Sequence, residues 1–538
     1  MEAKPVLTKR SSLIPAADMV YIESSSGVVH SFGEDEKIRF CELLNLSLQK
    51  DPDLKDIMPM NPKTHDLFEK VENGLLLCKM VNDAEPGTID ERTINKKPPL
   101  NIFHKKENLN LAIAAAKSIG CRLINVNPQL ILDQREHIIL GLIWQIVRIK
   151  YLAKINLKET PYLLTIKEEN EDITSLLKLP PEQLLLRWFN YHLKRSEYKK
   201  EINNFSGDLK NGMAYIYLLN QINPNLCDKS GANQIEAVRT MKVISDAKKL
   251  GVETTMTSDE ILNGNPKLNL LFCAQIFNTN AGLSPPSEDV KKEAKTLIFD
   301  EDVGDSREER CFRLWLNSLA IEAVNINNLF EDLKDGLILL YSLDKLEPGL
   351  VEWKKVAMKP DNKFKKLQNT NYVVDLCKMM KFSMVNIGGV DITEGNKKLI
   401  LGLVWQLMRK HVLDLIGNNN EEKLLQWAID KAKKDVVITS FKDKSIKNCK
   451  FLINLLDSFD NKLIDWTVIS DGNDDVSIKN NAEYVLSCAR KLGATTFLVW
   501  EDIKEVRPKM ILSFIASLYE LCKPNELRRS KTVAEGKR

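Results

Sequence analysis

The sequence has no cysteine pair at C-x-x-C spacing; its ten cysteines stand singly inside apolar helical patterns and read as reduced core thiols. Its six histidines are scattered, none with a second histidine or cysteine at metal-ligand spacing, so neither a metal site nor a cofactor is expected. G-x-S-x-G, G-x-x-x-x-G-K-[ST] and H-E-x-x-H are all missing, and with them the usual marks of a nucleophile elbow, a phosphate cradle and a metalloprotease. The chain is not read as an enzyme. A net charge of only +3 gives no argument for nucleic acid. No apolar run reaches the ~20 residues a bilayer needs, and no charged-then-apolar leader opens the sequence, so a cytoplasmic location without a membrane span is expected. Strand patterns are nearly absent, which points to an all-α class.

What the sequence has is repetition. The stretch Ile138-Ile139-Leu140-Gly141-Leu142-Ile143-Trp144-Gln145-Ile146-Val147-Arg148 returns 261 residues later as Leu399-Ile400-Leu401-Gly402-Leu403-Val404-Trp405-Gln406-Leu407-Met408-Arg409. Chance does not produce that in a complex sequence. Each copy is apolar on every side and ends in basic residues after about a dozen positions, so it is read as a buried core helix rather than a membrane span.

A second string divides the chain more finely. Val71-Glu72-Asn73-Gly74-Leu75, Leu209-Lys210-Asn211-Gly212-Met213 and Leu333-Lys334-Asp335-Gly336-Leu337 are three copies of one helix start. Ile446-Lys447-Asn448-Cys449-Lys450 is a fourth, with cysteine in the glycine's place. Starts at 71, 209, 333 and 446 define four units, which suits 538 residues at roughly 150 per domain. In each unit the same elements keep the same order. An opening helix carries Trp188, Trp315 or Trp427 (Phe40 in the first unit), and these tryptophans read as core aromatics. The glycine helix follows, then a helix led by Asn108, Thr240, Asn369 or Asn480, then a closing helix. Closing helices one and three share the Trp-Gln type, whereas two and four begin Pro266-Lys267-Leu268 and Pro508-Lys509-Met510. The pattern is A-B-A-B, a tandem pair duplicated whole, with each unit a bundle of four principal helices.

Residues 1–33 read as a loose extension; Lys9-Arg10-Ser11-Ser12 has the form of a phosphorylation site, and an ordinary polar terminus is the preferred reading. The units span 34–154, 179–283, 306–416 and 417–524, with a polar connector at 155–178, a proline-bearing linker at 284–305 and a basic tail at 525–538. Fully extended, that linker reaches at most ~75 Å.

Paired units with an opening Trp helix, an Asn/Asp-Gly-Leu helix and a closing Gly-Leu-Ile/Val-Trp-Gln helix resemble calponin-homology domains, and two such pairs in one chain resemble the fimbrin/plastin family. Residues 88–97, 264–270 and Glu394-Gly395-Asn396 tighten the match, which covers roughly residues 28–522. The resemblance implies an all-α monomer of four calponin-homology domains in two actin-binding pairs. Such a monomer holds two F-actin filaments and bundles them tightly in the actin cytoskeleton. It also implies filament contacts on the opening and closing helices of the first unit of each pair and on the opening helix of the second. In the first half these fall at Lys37, Arg39 and Leu43, at Ile143, Gln145, Arg148 and Lys150, and at Gln183 and Arg187. In the second half they fall at Arg307, Arg313 and Asn317, at Gln406, Arg409 and Lys410, and at Lys423.

Animal members of the family carry a calcium-binding EF-hand headpiece. Here only 33 residues precede the first unit and no D-x-[DN]-x-[DN]-G-x5-E loop occurs, so bundling is expected to be independent of calcium. The nearest acidic run, Ser470 to Asp475, reads as a solvated turn. Calponin-homology domains also occur in scaffolds and microtubule-binding proteins; sedimentation with each polymer separates those readings.

Overall fold

The computed structural model describes residues 19–23 and 29–522, apart from 169–170, 172, 178, 286–287, 289–302, 320, 322–325, 417–420 and 433–435. The motif at Lys9 to Ser12, most of the 284–305 linker and the basic tail therefore lie outside the described residues.

Four principal helices build each unit. The first has α1 (Glu34–Leu48), α2 (Leu75–Ala84), α3 (Ile102–Ser118) and α4 (Glu136–Leu152). The second has α5 (Pro181–Arg195), α6 (Met213–Ile222), α7 (Glu236–Lys249) and α8 (Pro266–Thr279). The third has α9 (Val303–Ser318), α10 (Leu337–Leu346), α11 (Lys363–Met379) and α12 (Lys397–Ile416). The fourth has α13 (Glu421–Lys431), α14 (Lys450–Asp457), α15 (Asp475–Lys491) and α16 (Pro508–Leu521). Shorter helices and turns join them.

The repeated glycine has a backbone reason. Gly74, Gly212 and Gly336 stand just before α2, α6 and α10 with φ of 73°, 70° and 76°, where an L side chain costs ~1–2 kcal/mol. A Cβ on Gly74 would also lie 2.6 Å from the Cβ of Asn108, and one on Gly336 3.0 Å from that of Asn369. This close approach lets a single asparagine tie three segments together. The Asn108 amide donates to the carbonyls of Asn73 (3.0 Å) and Asn95 (2.9 Å) and accepts the Asn95 N–H (2.9 Å). Asn369 does the same with Asp335 and Ala357. In the fourth unit the tie is Asn481, next to the Asn480 picked out by the repeat, bonded to Asn448 and Ser470.

Buried apolar residues form one continuous cluster through units one and two and a second through units three and four. Each pair shares a core because closing helices pack together, α4 on α8 and α12 on α16. That explains the all-round apolar string: α4 lies between the rest of its own unit and the next one. No helix among the described residues is long and apolar enough to cross a membrane. The two halves meet along α3, which packs against α15 and α9. Polar groups carry much of this junction. Ser487 Oγ accepts the Asp90 N–H (2.9 Å), Arg490 donates to Thr88 O (2.6 Å), Arg92 to Asn480 O (2.8 Å), and Arg310 to Ser118 O (3.0 Å).

Two expectations about the flanking segments need correction. Residues 1–33 are not wholly irregular, because β1 (Met19–Glu23) and β2 (Val29–Gly33) pair antiparallel with Met19 opposite Gly33. Five-residue strands are too short for alternation to stand out, although Val20, Tyr21, Ile22, Val29 and Phe32 favour extended backbone. The class remains all-α. The 155–178 connector is packed rather than merely polar, with Ile155, Leu157, Leu163, Leu164, Ile166, Ile173 and Leu176 buried.

The second unit buries a histidine. The indole N–H of Trp188 and Nε2 of His192 both lie on the Ala281 carbonyl, at 2.7 and 2.9 Å. Burial pulls His192 down from 6.5 to about 4, so it stays neutral when folded. Between those values the unfolded chain binds the proton and the folded chain does not, so stability falls as pH drops below 6.5. From pH 6.5 to 5 the loss from this group is roughly 2 kcal/mol. Urea unfolding across that window, compared with His192→Gln, is expected to show the loss in the parent and a flatter response in the variant.

Candidate functional site

The two pairs repeat one seam between their domains. In the first, Lys267 at the start of α8 reaches Glu36 on α1 (2.6 Å) and lies 5.9 Å above the ring of Trp144, which stacks on Phe40 at 6.2 Å. In the second, Lys509 at the start of α16 reaches Glu308 on α9 (3.0 Å) and lies 5.7 Å above Trp405, which stacks on Phe312 at 6.3 Å. A cation over an indole and paired with a carboxylate joins two domains by charge and by ring quadrupole together.

A second link repeats at the other end of the closing helix. Arg148 on α4 donates to Glu182 on α5 (Nε to Oε1 2.7 Å), and Arg409 on α12 donates to Glu421 on α13 (2.6 Å). These pairs bring together the closing helix of the first domain and the opening helix of the second. Two of the three segments expected to face a filament are therefore neighbours in both halves.

A third link is not repeated. Arg39 on α1 crosses to the second domain, donating to Glu260 (2.8 Å) and to the Thr255 carbonyl (3.1 Å). In the second pair Arg307, one turn earlier in register, reaches Glu505 (2.6 Å) and lies 3.6 Å from Asp502, whose carboxyl is pushed up by burial.

The proposed contact residues divide by surroundings. Leu43 and Ile143 are core side chains, 5% and 0% exposed, and have no surface to offer a filament. Ile143 lies in an all-apolar stretch that gives no sign of which face is outermost, whereas α1 is amphipathic and carries Leu43 on its buried side with Phe40 and Leu44. Lys37 is buried and pairs with Glu34, and Arg39 is committed to the seam. Asn317 is half-buried, and its amide is engaged with the backbone. It donates to the Ile326 carbonyl (3.0 Å) and accepts the Ile326 N–H (2.9 Å), a bracket that Asn45 makes with Met60 and Asn190 with Ile202.

The others lie nearer the surface. Lys150 pairs with Asp83 (2.6 Å), Arg313 with Glu309 (3.0 Å) and Lys410 with Asp414 (2.6 Å). Gln145 is half-buried, and Gln406 brackets the backbone of Ser383 at 2.6 and 2.7 Å. Arg187 pairs with Glu171 and, with the exposed Gln183, lines an open groove along α5 beside Tyr191 and Lys194. Arg409 is 46% exposed despite its bond to Glu421, and Lys423 on the same rim is exposed. The structure thus gathers Arg148, Gln183 and Arg187 in one half and Arg409 and Lys423 in the other. What sequence reasoning missed is the Lys267 and Lys509 clamp. Its signal was present, since both lysines follow the proline that starts a B-type closing helix.

Comparison with known proteins places these units. The Calponin homology (CH) domain family matches residues 40–151, 179–282, 306–412 and 418–524. Fimbrin of Saccharomyces cerevisiae is 43% identical over 526 residues, covering 94% of this chain and 81% of that protein. Plastin-3 of Homo sapiens is 40% identical over 520 residues, covering 92% and 81%. The solved actin-crosslinking core of Schizosaccharomyces pombe fimbrin superposes with a TM-score of 0.80 at 39% identity, covering 91% of this chain and 100% of that one.

Proposed function

The chain belongs to the calponin-homology family, in its fimbrin and plastin branch, and from that premise we propose that each of its two pairs holds one actin filament, so that a single monomer joins two. It is an actin-binding and filament-bundling protein of the cytoskeleton, not an enzyme. The observation that carries the two-filament reading is the duplicated seam on two separate cores. With one pair bound, the second meets a nearby filament at an effective concentration set by the short connection, which favours bridging without any new contact. The domain divisions at 34–154, 179–283, 306–416 and 417–524 belong to this proposal. So does a cytoplasmic setting.

The proposal includes bundling that calcium does not alter. Nothing in the 538 residues has the register of an EF-hand loop, and the acidic run at 470–475 has a local role. Within it, Asp474 caps α15 by accepting the N–H groups of Val476 (2.9 Å) and Ser477 (3.0 Å).

Two-colour fluorescence microscopy tests the bivalent reading: filaments of either colour are expected to zip into mixed pairs when the protein is added. Separate filaments, evenly decorated, would oppose it. The rim of the second half gives a sharper prediction. Arg409→Glu with Lys423→Glu is expected to weaken high-speed pelleting of the full chain with filaments by a few-fold and to lower low-speed bundling by ~tenfold, because an acidic filament then meets like charge. The thermal midpoint should stay within a few degrees, since both side chains are exposed or nearly so.

A further inference from the structure

The two seams differ where Arg39 sits. The register that matches Glu36 with Glu308 and Phe40 with Phe312 places Cys311 opposite Arg39; that matching Glu260 with Asp502 places Thr496 opposite Thr254 and Phe497 opposite Thr255. In the first pair the Arg39 guanidinium occupies this place, bonded to Glu260 and the Thr255 carbonyl. In the second pair the short Cys311 side chain leaves a cavity of about 110 Å³, lined among others by Trp315, Met408, Thr496, Phe497 and Phe514.

The walls have a definite chemistry. Trp315, Met408 and Phe514 come from α9, α12 and α16, and Phe497 from the loop before the last short helix, so both domains contribute. Ser318, Ser513 and Ser517 also line the space, but their hydroxyls donate to carbonyls of their own helices. Thr496 differs: it is 3% exposed and its Oγ1 has no hydrogen-bond partner among the described residues. An orphaned buried hydroxyl beside an apolar hole is a polar handle awaiting a counterpart. Burial pushes the Cys311 thiol far up, so it is a neutral wall and not a nucleophile.

Size narrows the occupant. The hole far exceeds the ~10–15 Å³ that a water requires and is of the order of the ~150 Å³ engineered cavity known to hold benzene. His411 and Glu520 also line the space, but His411 Nδ1 accepts the Trp315 N–H (3.1 Å) and the Glu520 charge acts on Lys117; against the remaining aromatic and thioether walls a further charge would lose its hydration, which favours a neutral molecule. We propose that this cavity binds a small neutral aromatic molecule with one hydrogen-bonding group. The ring lies among Trp315, Phe497 and Phe514, and the polar group meets the Thr496 hydroxyl. Occupancy spans the third and fourth domains and stabilises their packed arrangement, by an amount that grows with the logarithm of ligand concentration once the site is filled.

Fluorine NMR of fluorobenzene and 4-fluorophenol, titrated with the full chain, tests the site. Both probes are expected to bind saturably, 4-fluorophenol several-fold more tightly because it alone satisfies Thr496. Thr496→Val should abolish that preference while keeping the binding, and Cys311→Met, which fills the hole, should weaken both probes by about tenfold or more. Absence of saturable binding, a preference that survives Thr496→Val, or binding untouched by Cys311→Met would overturn the proposal. Should the methionine variant fail to fold, a crystal of the parent chain under xenon decides. A xenon peak between Cys311 and Thr496 supports the cavity, and its absence refutes it.

Discussion

Divided between its pairs, the chain is expected to give two halves that each sediment with actin filaments at high speed, neither of which bundles them at low speed. The physical ground is that each half has its own continuous core and its own copy of the Lys-Trp-Glu seam. Suitable ends are 28–283, which keeps β2 along α1, and 303–524, which keeps the first turn of α9. Separation exposes the α3 and α15 surfaces, but hydrogen bonds from Arg92, Arg310 and Arg490 to backbone carbonyls make up much of that junction, and water replaces such bonds at modest net cost. Low-speed pelleting should fall to background while each half keeps its own affinity, because the effective-concentration gain of ~10²-fold or more exists only when the pairs are joined. A half that bundled as efficiently as the whole would remove bivalency from the mechanism.

The second large effect falls on stability. Asn369→Ala is expected to cost about 3 kcal/mol or more, seen as a markedly lower urea midpoint and as loss of filament binding by the second pair. The side chain is fully buried, and truncation strands the Asp335 carbonyl and both backbone groups of Ala357. Such a loss is a large part of a domain's typical margin of ~5–15 kcal/mol. Asn108→Ala should act alike in the first unit, where the same three bonds recur. The second unit is an internal control. It has Thr240 at that position, and Arg239 instead donates to the Asn211 carbonyl (2.7 Å). A cost below ~1 kcal/mol at Asn369 would mean that water replaces the amide and that the asparagine is not the tie described.

The helical architecture was legible in the sequence because its signals are local. A glycine forced to positive φ, a helix apolar on every side and a proline at a helix start are properties of a few adjacent residues, and each recurs in several units. Where a local rule bends, as at Cys449 with φ of 67°, the copy was correspondingly faint. The contact surface was much less legible. Ile143 lies in a stretch whose apolar residues serve two domains at once, so no polar face marked the outside, and Leu43 sits on the buried side of an amphipathic helix. Arg39 looked free because its partner Glu260 lies 221 residues away. The junction between halves has the same difficulty in greater measure, with Arg490 bonded to Thr88 across 402 residues. The bracket from Asn317 to Ile326 was not legible, because it depends on how the following loop returns.

Sedimentation of actin filaments with the full chain, at low and at high speed, in calcium and in chelator, tests the central claim most directly. A constitutive two-handed crosslinker predicts that filaments enter the low-speed pellet to the same extent in both conditions. Filaments that pellet only at high speed, or that leave the low-speed pellet when calcium is added, would contradict it.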